Sequence, residues 1–147
     1  MVTLRHFSPE DVEFLQKSMY PDMTSSEITE MIAEWNSCVC QGRCFEMFAI
    51  LSDQRIVGSA SLYEHSRSVA SAGIEILETE RKKGFASETL TLLSKHAAEK
   101  GYRVLLDQIR ADNQASIRLH EKLGFESDGY VYRNQRGHEV VLYLKVL

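Results

Sequence analysis

A chain of 147 residues, 44% hydrophobic and 26% charged with two prolines and eight glycines, has the length for one domain spanning 1–147 and needs no disulfide or metal to stabilise its core. The net charge of −4, with adjacent basic residues gathered only at Arg81–Lys83, argues against nucleic-acid binding and mildly favours a cationic partner. Met1 to Phe7 lacks the zones of a signal peptide and no apolar run reaches membrane-spanning length, so a cytoplasmic protein with no membrane partner is expected.

Val2 to Phe7 alternates as a short strand. Ser8-Pro9-Glu10-Asp11 then opens a helix with an N-cap, a proline in first position and acids in the first turn, and Val12, Leu15 and Met19 form its buried stripe. Tyr20-Pro21-Asp22 interrupts. Thr24 to Glu27 offers a capping box for a second helix that carries Ile28, Ile32 and Trp35 on one face and runs to near Gly42. Cys38, Cys40 and Cys44 near its end have neither a Cys-x-x-Cys pair nor a close histidine, so reduced thiols and no metal site are expected.

Three strands follow: Phe45 to Leu51, Ile56 to Tyr63 after an Asp53-Gln54-Arg55 turn, and Val69 to Leu77 after a loop around Ser66. The third helix runs from Gly84 to Lys100 with Ala86, Leu90, Leu93 and Ala97 in line and Gly101 as its stop. A strand at Arg103 to Ile109 leads to a fourth helix opened by Asp112-Asn113 and closed by Gly124. Phe125 to Tyr132 and His138 to Val146 read as two last strands joined by Asn134-Gln135-Arg136-Gly137. This order mixes hairpins with crossovers. It predicts an α/β fold built on a single mixed, mostly antiparallel sheet of about seven strands with helices on both faces.

The segment richest in chemistry is Arg81-Lys82-Lys83-Gly84-Phe85-Ala86, where strand gives way to helix. A glycine there lets the backbone approach a ligand, and the first N–H groups of a helix have no internal partner. With the positive end of the macrodipole and three basic side chains, they form a cradle for a pyrophosphate. Ala86 keeps that first turn open, and Ser87 adds a hydroxyl. Basic residues beside a glycine also occur at helix starts without any ligand, so this segment alone leaves both readings open. In the fourth helix, Asn113, Ser116 or Ile117, and His120 share one face. The outer two stand about 10 Å apart along the axis, a span that suits an extended thiol arm.

Read together, Arg81-x-x-Gly84-x-Ala86 and Asn113-x-x-Ser116-Ile117-x-Leu119-His120-Glu121-Lys122-Leu123-Gly124-Phe125 resemble the GCN5-related N-acetyltransferase (GNAT) family. The run Gly84 to Glu88 is similar to its branch containing the ribosomal-protein N-terminal acetyltransferases. The resemblance implies acetyl-CoA as cosubstrate, its pyrophosphate held by the turn from Arg81 through Ser87. It also implies that the strand ending at Ile76 and Leu77 splays from its neighbour to pair with the pantetheine arm, with a main-chain N–H near Ile76 polarising the thioester. At the position of His120 the family usually carries a tyrosine that protonates the leaving thiolate. This sequence departs there, and His120 is expected to take that role or to line the groove.

No base stands on the strand before the cradle, where the matching positions are Ala70 and Ala72. Glu64 and His65 are the next candidates, beside a chain of water molecules, while Glu75 alternates to the other face and reads as a partner for a helix residue. The expected function is acetyl transfer from acetyl-CoA to a primary amine by direct attack in a ternary complex. A non-catalytic acyl-CoA-binding or sensing module is the alternative. The acceptor is a small-molecule or peptide amine of open identity. The last strand, with Val140 to Val146, either pairs across a homodimer or lies inside the fold.

Overall fold

The computed structural model describes all residues 1–147. The chain forms β1 (Val2–His6), a 3-10 turn at Pro9–Asp11, α1 (Val12–Ser18), α2 (Ser25–Asn36), β2 (Val39–Cys40), β3 (Arg43–Ser52), β4 (Arg55–Glu64) and β5 (Val69–Ile76). A second 3-10 turn at Glu78–Glu80 leads to α3 (Phe85–Glu99), β6 (Val104–Arg110), α4 (Gln114–Lys122), β7 (Tyr132–Arg133) and β8 (Glu139–Val146). The strands lie in the order β1-β3-β4-β5-β6-β8-β7, with β2 paired to β3 off this path. Every pairing is antiparallel except that of β5 with β6. The expected sheet is therefore present.

The capping box of α2 forms as its residues dictate: the Thr24 hydroxyl accepts the Glu27 N–H at 3.1 Å and the Glu27 carboxylate accepts the Thr24 N–H at 3.0 Å. The far end of α2 differs from the sequence reading. It stops at Asn36 rather than near Gly42, because Cys38 takes positive φ just past the helix end, and Gln41 and Gly42, also at positive φ, close a two-residue turn between Cys40 and Arg43. The segment Phe125 to Tyr132 is likewise not a strand. Glu126 makes one bridge to Leu144. The Ser127 hydroxyl and the Asp128 carboxylate then accept the N–H groups of Gly129 and Tyr130, folding the chain outward until Tyr132.

Strand alternation sorts the core onto two faces. On one, Phe48, Ile50, Ala60 and Ile76 pack with Leu93 of α3, and Leu62, Ala70, Leu105, Ile109 and Val141 pack with Leu90 and Ala97. On the other, Ala49 packs with Leu15, Ile28 and Ile32 of α1 and α2. Trp35 joins this second layer, with its ring 5.3 Å from that of Phe7. Over β8 this second face is open, with Leu142 and Leu144 exposed at 37% and 45%. Helices thus cover both faces, but the side facing α1 and α2 is bare over the C-terminal strands.

Glu46 of β3 is a buried carboxylate that accepts hydrogen bonds from Lys100 Nζ at 2.8 Å, His96 Nε2 at 2.9 Å and His6 Nε2 at 3.2 Å. Burial pushes its carboxyl up, but these donors outweigh burial and hold it at about 2, against an ordinary 4.5. The depressed folded value means that the stabilisation is complete above about pH 4.5 and is lost as pH falls toward 2. It amounts to about 3 kcal/mol. Urea unfolding of Glu46→Gln across this range should show a protein less stable by about 2–3 kcal/mol at neutral pH, with a flattened acid limb. An acid limb as steep as that of the parent would show that Glu46 does not carry it.

Candidate functional site

The parallel pairing of β5 with β6 consists of Val69 with Val104 and Ala70 with Leu105, and then stops. The Ser71 hydroxyl donates to the Leu106 carbonyl, and the Ala72 N–H donates to Asp107 Oδ1 at 2.8 Å. Beyond that point the strands splay into a wedge. Because the Ala72 amide points into the wedge, period-two alternation turns the main-chain groups of Ile74 and Ile76 to the same edge. The Ile76 carbonyl accepts Arg81 Nε at 3.1 Å there, while the Leu77 amide turns the other way to the Val57 carbonyl at 2.9 Å. The N–H groups of Ile74 and Ile76 face the wedge with no strand opposite them.

The wide end of the wedge meets the start of α3. Gly84 caps that helix at φ 83°, and the first helical bond runs from the Glu88 N–H to the Gly84 carbonyl at 3.2 Å. The amides of Phe85, Ala86 and Ser87 are therefore without a helical partner. No protein atom lies within 4 Å of where a Gly84 side chain would begin, so the space in front of the turn is open. The three basic residues are used unequally. Arg81 turns back to Ile76, and Lys83 pairs with Glu80 at 3.2 Å, a buried carboxylate that Arg55 also holds at 2.6 Å. Lys82 is exposed and has no acidic partner. Three convergent amides, a glycine and a free ammonium are a donor set that fits a diphosphate.

On α4, Asn113 acts as N-cap, its side-chain oxygen accepting the Ser116 N–H at 3.1 Å. His120 is 7% exposed; its Nδ1 lies 2.8 Å from the Ser116 carbonyl and its Nε2 lies 2.9 Å from Asp107 Oδ2. A carbonyl can only accept, so Nδ1 carries a proton. A second proton must then sit between Nε2 and the carboxylate. Both ring nitrogens are thus spent inside the protein, and neither offers a free N–H to a sulfur in the wedge. His120 instead ties α4 to β6 where the wedge opens.

Glu64 and His65 lie at the closed end, beside the last paired residues of β5. Glu64 accepts the Tyr102 hydroxyl at 2.9 Å, and burial together with this carboxylate pushes the Tyr102 phenol up. His65 Nε2 lies 2.6 Å from the Ser71 hydroxyl. The structure does not bring these two residues to Ile76 and Gly84. Glu75 is placed differently from its sequence reading: it has no helix partner, lies exposed on the face of α1 and α2, and makes no ion pair. Burial, and then the charge of Glu75, raise the Tyr20 phenol. Alternation along β5 locates Glu75 on that face, but not the bare sheet that leaves it open.

Residues 2–126 match the family described as an acetyltransferase (GNAT) domain. The chain is 30% identical over 137 residues to the SPbeta prophage-derived uncharacterized N-acetyltransferase YokL of Bacillus subtilis, covering 87% of this chain and 77% of the relative. A shorter stretch of 67 residues is 33% identical to an L-methionine sulfoximine/L-methionine sulfone acetyltransferase of Pseudomonas aeruginosa, covering 46% of this chain and 39% of that one. The fold superimposes with a TM-score of 0.81 on RimL, a ribosomal L7/L12 alpha-N-protein acetyltransferase in complex with coenzyme A, at 20% identity over 99% of this chain and 94% of that one.

Proposed function

The chain belongs to the GNAT acetyltransferase family, and from that membership we propose that it moves an acetyl group from acetyl-CoA to a primary amine by direct attack in a ternary complex. One observation carries this reading: the unpaired edge of β5, with the Ile74 and Ile76 amides, is joined through the short turn at Glu78–Glu80 to the open helix start at Gly84. An extended thioester arm pairs with the first as an added strand, and its diphosphate meets the second. Each residue then has a task. The Ile76 N–H polarises the thioester carbonyl where negative charge develops. An amine arrives mainly as ammonium and must lose a proton before it attacks; Glu75, one residue from Ile76 and open on the bare face, accepts it. Asp107 and His120 hold α4 against the wedge. Ser116, the one hydroxyl on α4, lies 3.4 Å from His120 Nδ1 and donates a hydrogen bond to the departing thiolate, which takes its proton from solvent.

The test is calorimetric titration with coenzyme A, followed by a mass-shift assay of acetyl-CoA with a panel of amines. Expected are a one-to-one complex and a product heavier by one acetyl group. Binding without any product would favour the second reading, a sensing module, which the commitment of both His120 nitrogens supports. No heat of association would overturn both.

A further inference from the structure

Across the wedge from Glu75 stands a wall of positive charge assembled from two distant segments. β5 and β6 are parallel and in register at Ala70 with Leu105, so Glu75 and Arg110 each stand five residues beyond the last pair, on opposite arms of the splay. Five is an odd step. Both residues therefore leave the α3 side, where Ala70 and Leu105 are buried, and face the bare side. The splay keeps them from pairing: Glu75 has no ion pair, and Arg110 reaches only the exposed Asp112, at 3.9 Å.

Arg110 also lines a cleft of about 700 Å³ with Arg133, Arg136, His138, Gln108 and Tyr132, and no aspartate or glutamate lines it. Glu139, the acid nearest Arg133, is 4.0 Å away and two-thirds exposed. The wall is held in shape: Gln108 Nε2 donates to the Tyr132 hydroxyl and Asn134 Nδ2 donates to Gln108 Oε1, both at 2.8 Å, and Arg133 Nη1 donates to the Gly137 carbonyl at 3.0 Å. Three guanidinium groups in a cleft lined by no acid, with only the exposed Asp112 and Glu139 near 4 Å outside it, are on a chain of net charge −4 a site for an anion. Guanidinium groups match carboxylates in particular, because the planar fork can bind both oxygens.

We infer that the acceptor is a primary amine that carries a carboxylate, as an α-amino acid or an acidic peptide N-terminus does. Its ammonium faces Glu75 and its carboxylate faces Arg110, Arg133 and Arg136. This inference rests on the reading that the wedge is the site of acyl transfer, and it replaces the cationic acceptor expected from net charge. A polyamine would satisfy Glu75 but set a second ammonium against the arginines.

The test compares kcat/KM for L-amino acids with that for their carboxamides, for short peptide amides beginning Ala-Asp or Ala-Asn, and for spermidine. Compounds with a carboxylate should exceed their uncharged partners about tenfold or more, the scale of one charge-assisted contact. Arg110→Gln combined with Arg136→Gln should collapse that preference to near unity through KM, with the dissociation constant for coenzyme A unchanged. Preference for the free amino acid alone identifies the α-carboxylate as the group bound, and preference for Ala-Asp peptides identifies the side chain. Equal rates for amides or spermidine, or a preference that survives both substitutions, overturn the inference, as does coenzyme A affinity that falls with the arginines. Coenzyme A binding without turnover of any carboxylate amine overturns this inference alone. Failure to bind coenzyme A overturns the acyl-transfer reading with it.

Discussion

Gly84→Val is expected to weaken coenzyme A binding by about a hundredfold or more, about 2.7 kcal/mol, while leaving a folded protein. Gly84 sits at φ 83°, a region that a β-branched residue scarcely enters, so the first turn of α3 must shift to accept valine. The local cost is about 1–2 kcal/mol. Apart from its chain neighbours, no protein atom lies within 4 Å of the side chain's first carbon, so the core is not overpacked. The turn that shifts carries the unpartnered amides of Phe85, Ala86 and Ser87, on which the proposed diphosphate site depends. Gly84→Ala should lie between, at about tenfold, from backbone cost alone. Calorimetry with coenzyme A and thermal melting of the same preparations separate the two effects. If Gly84→Val binds as tightly as the parent, the diphosphate is held elsewhere.

The open helix start at Gly84 was legible in the sequence because everything it requires is local: a glycine, the small Ala86, and a strand-to-helix junction within a few residues. The capping box at Thr24 and the stripe of α3 were legible for the same reason. Helix α2 was read too long because its stop depends on Cys38 and Gln41 adopting positive φ, which neither residue type advertises. The pairing of Asp107 with His120 was missed since it joins a strand interior to a helix 13 positions later, and nothing in either segment names the other. His96 and His6 have no role in the sequence reading for the same cause, yet both donate to Glu46. The arginine wall shows the limit most clearly. Arg110 and Arg136 sit in segments of ordinary charge, and only the pairing of β6 with β8, which aligns Arg110 with Val140, brings them to one cleft.

Asp107→Ala should lower stability by about 3–5 kcal/mol, the scale of leaving a buried group without its charged partner. At roughly 2–4 °C per kcal/mol for a chain of this size, the melting temperature should fall by about 10 °C or more. Asp107 is 4% exposed and holds three elements at the point where the wedge opens: its Oδ1 accepts the Ala72 N–H of β5 at 2.8 Å, its Oδ2 binds His120 of α4 at 2.9 Å, and its own strand is β6. Alanine leaves the part-buried Ala72 amide and the buried His120 Nε2 without partners. Asp107→Asn should behave differently. The asparagine oxygen still accepts from Ala72, and its NH2 donates to Nε2 of a neutral imidazole whose Nδ1 proton stays on the Ser116 carbonyl. One proton leaves the pair, and every hydrogen bond survives, so its loss should be only about 1 kcal/mol. Asp107→Ala with His120→Leu should recover part of the single-mutant loss, because the stranded imidazole is gone. Urea unfolding of the parent and these three variants at one pH decides the point. Equal losses for alanine and asparagine would mean that the charge of Asp107, rather than its hydrogen bonds, joins the strands where they part.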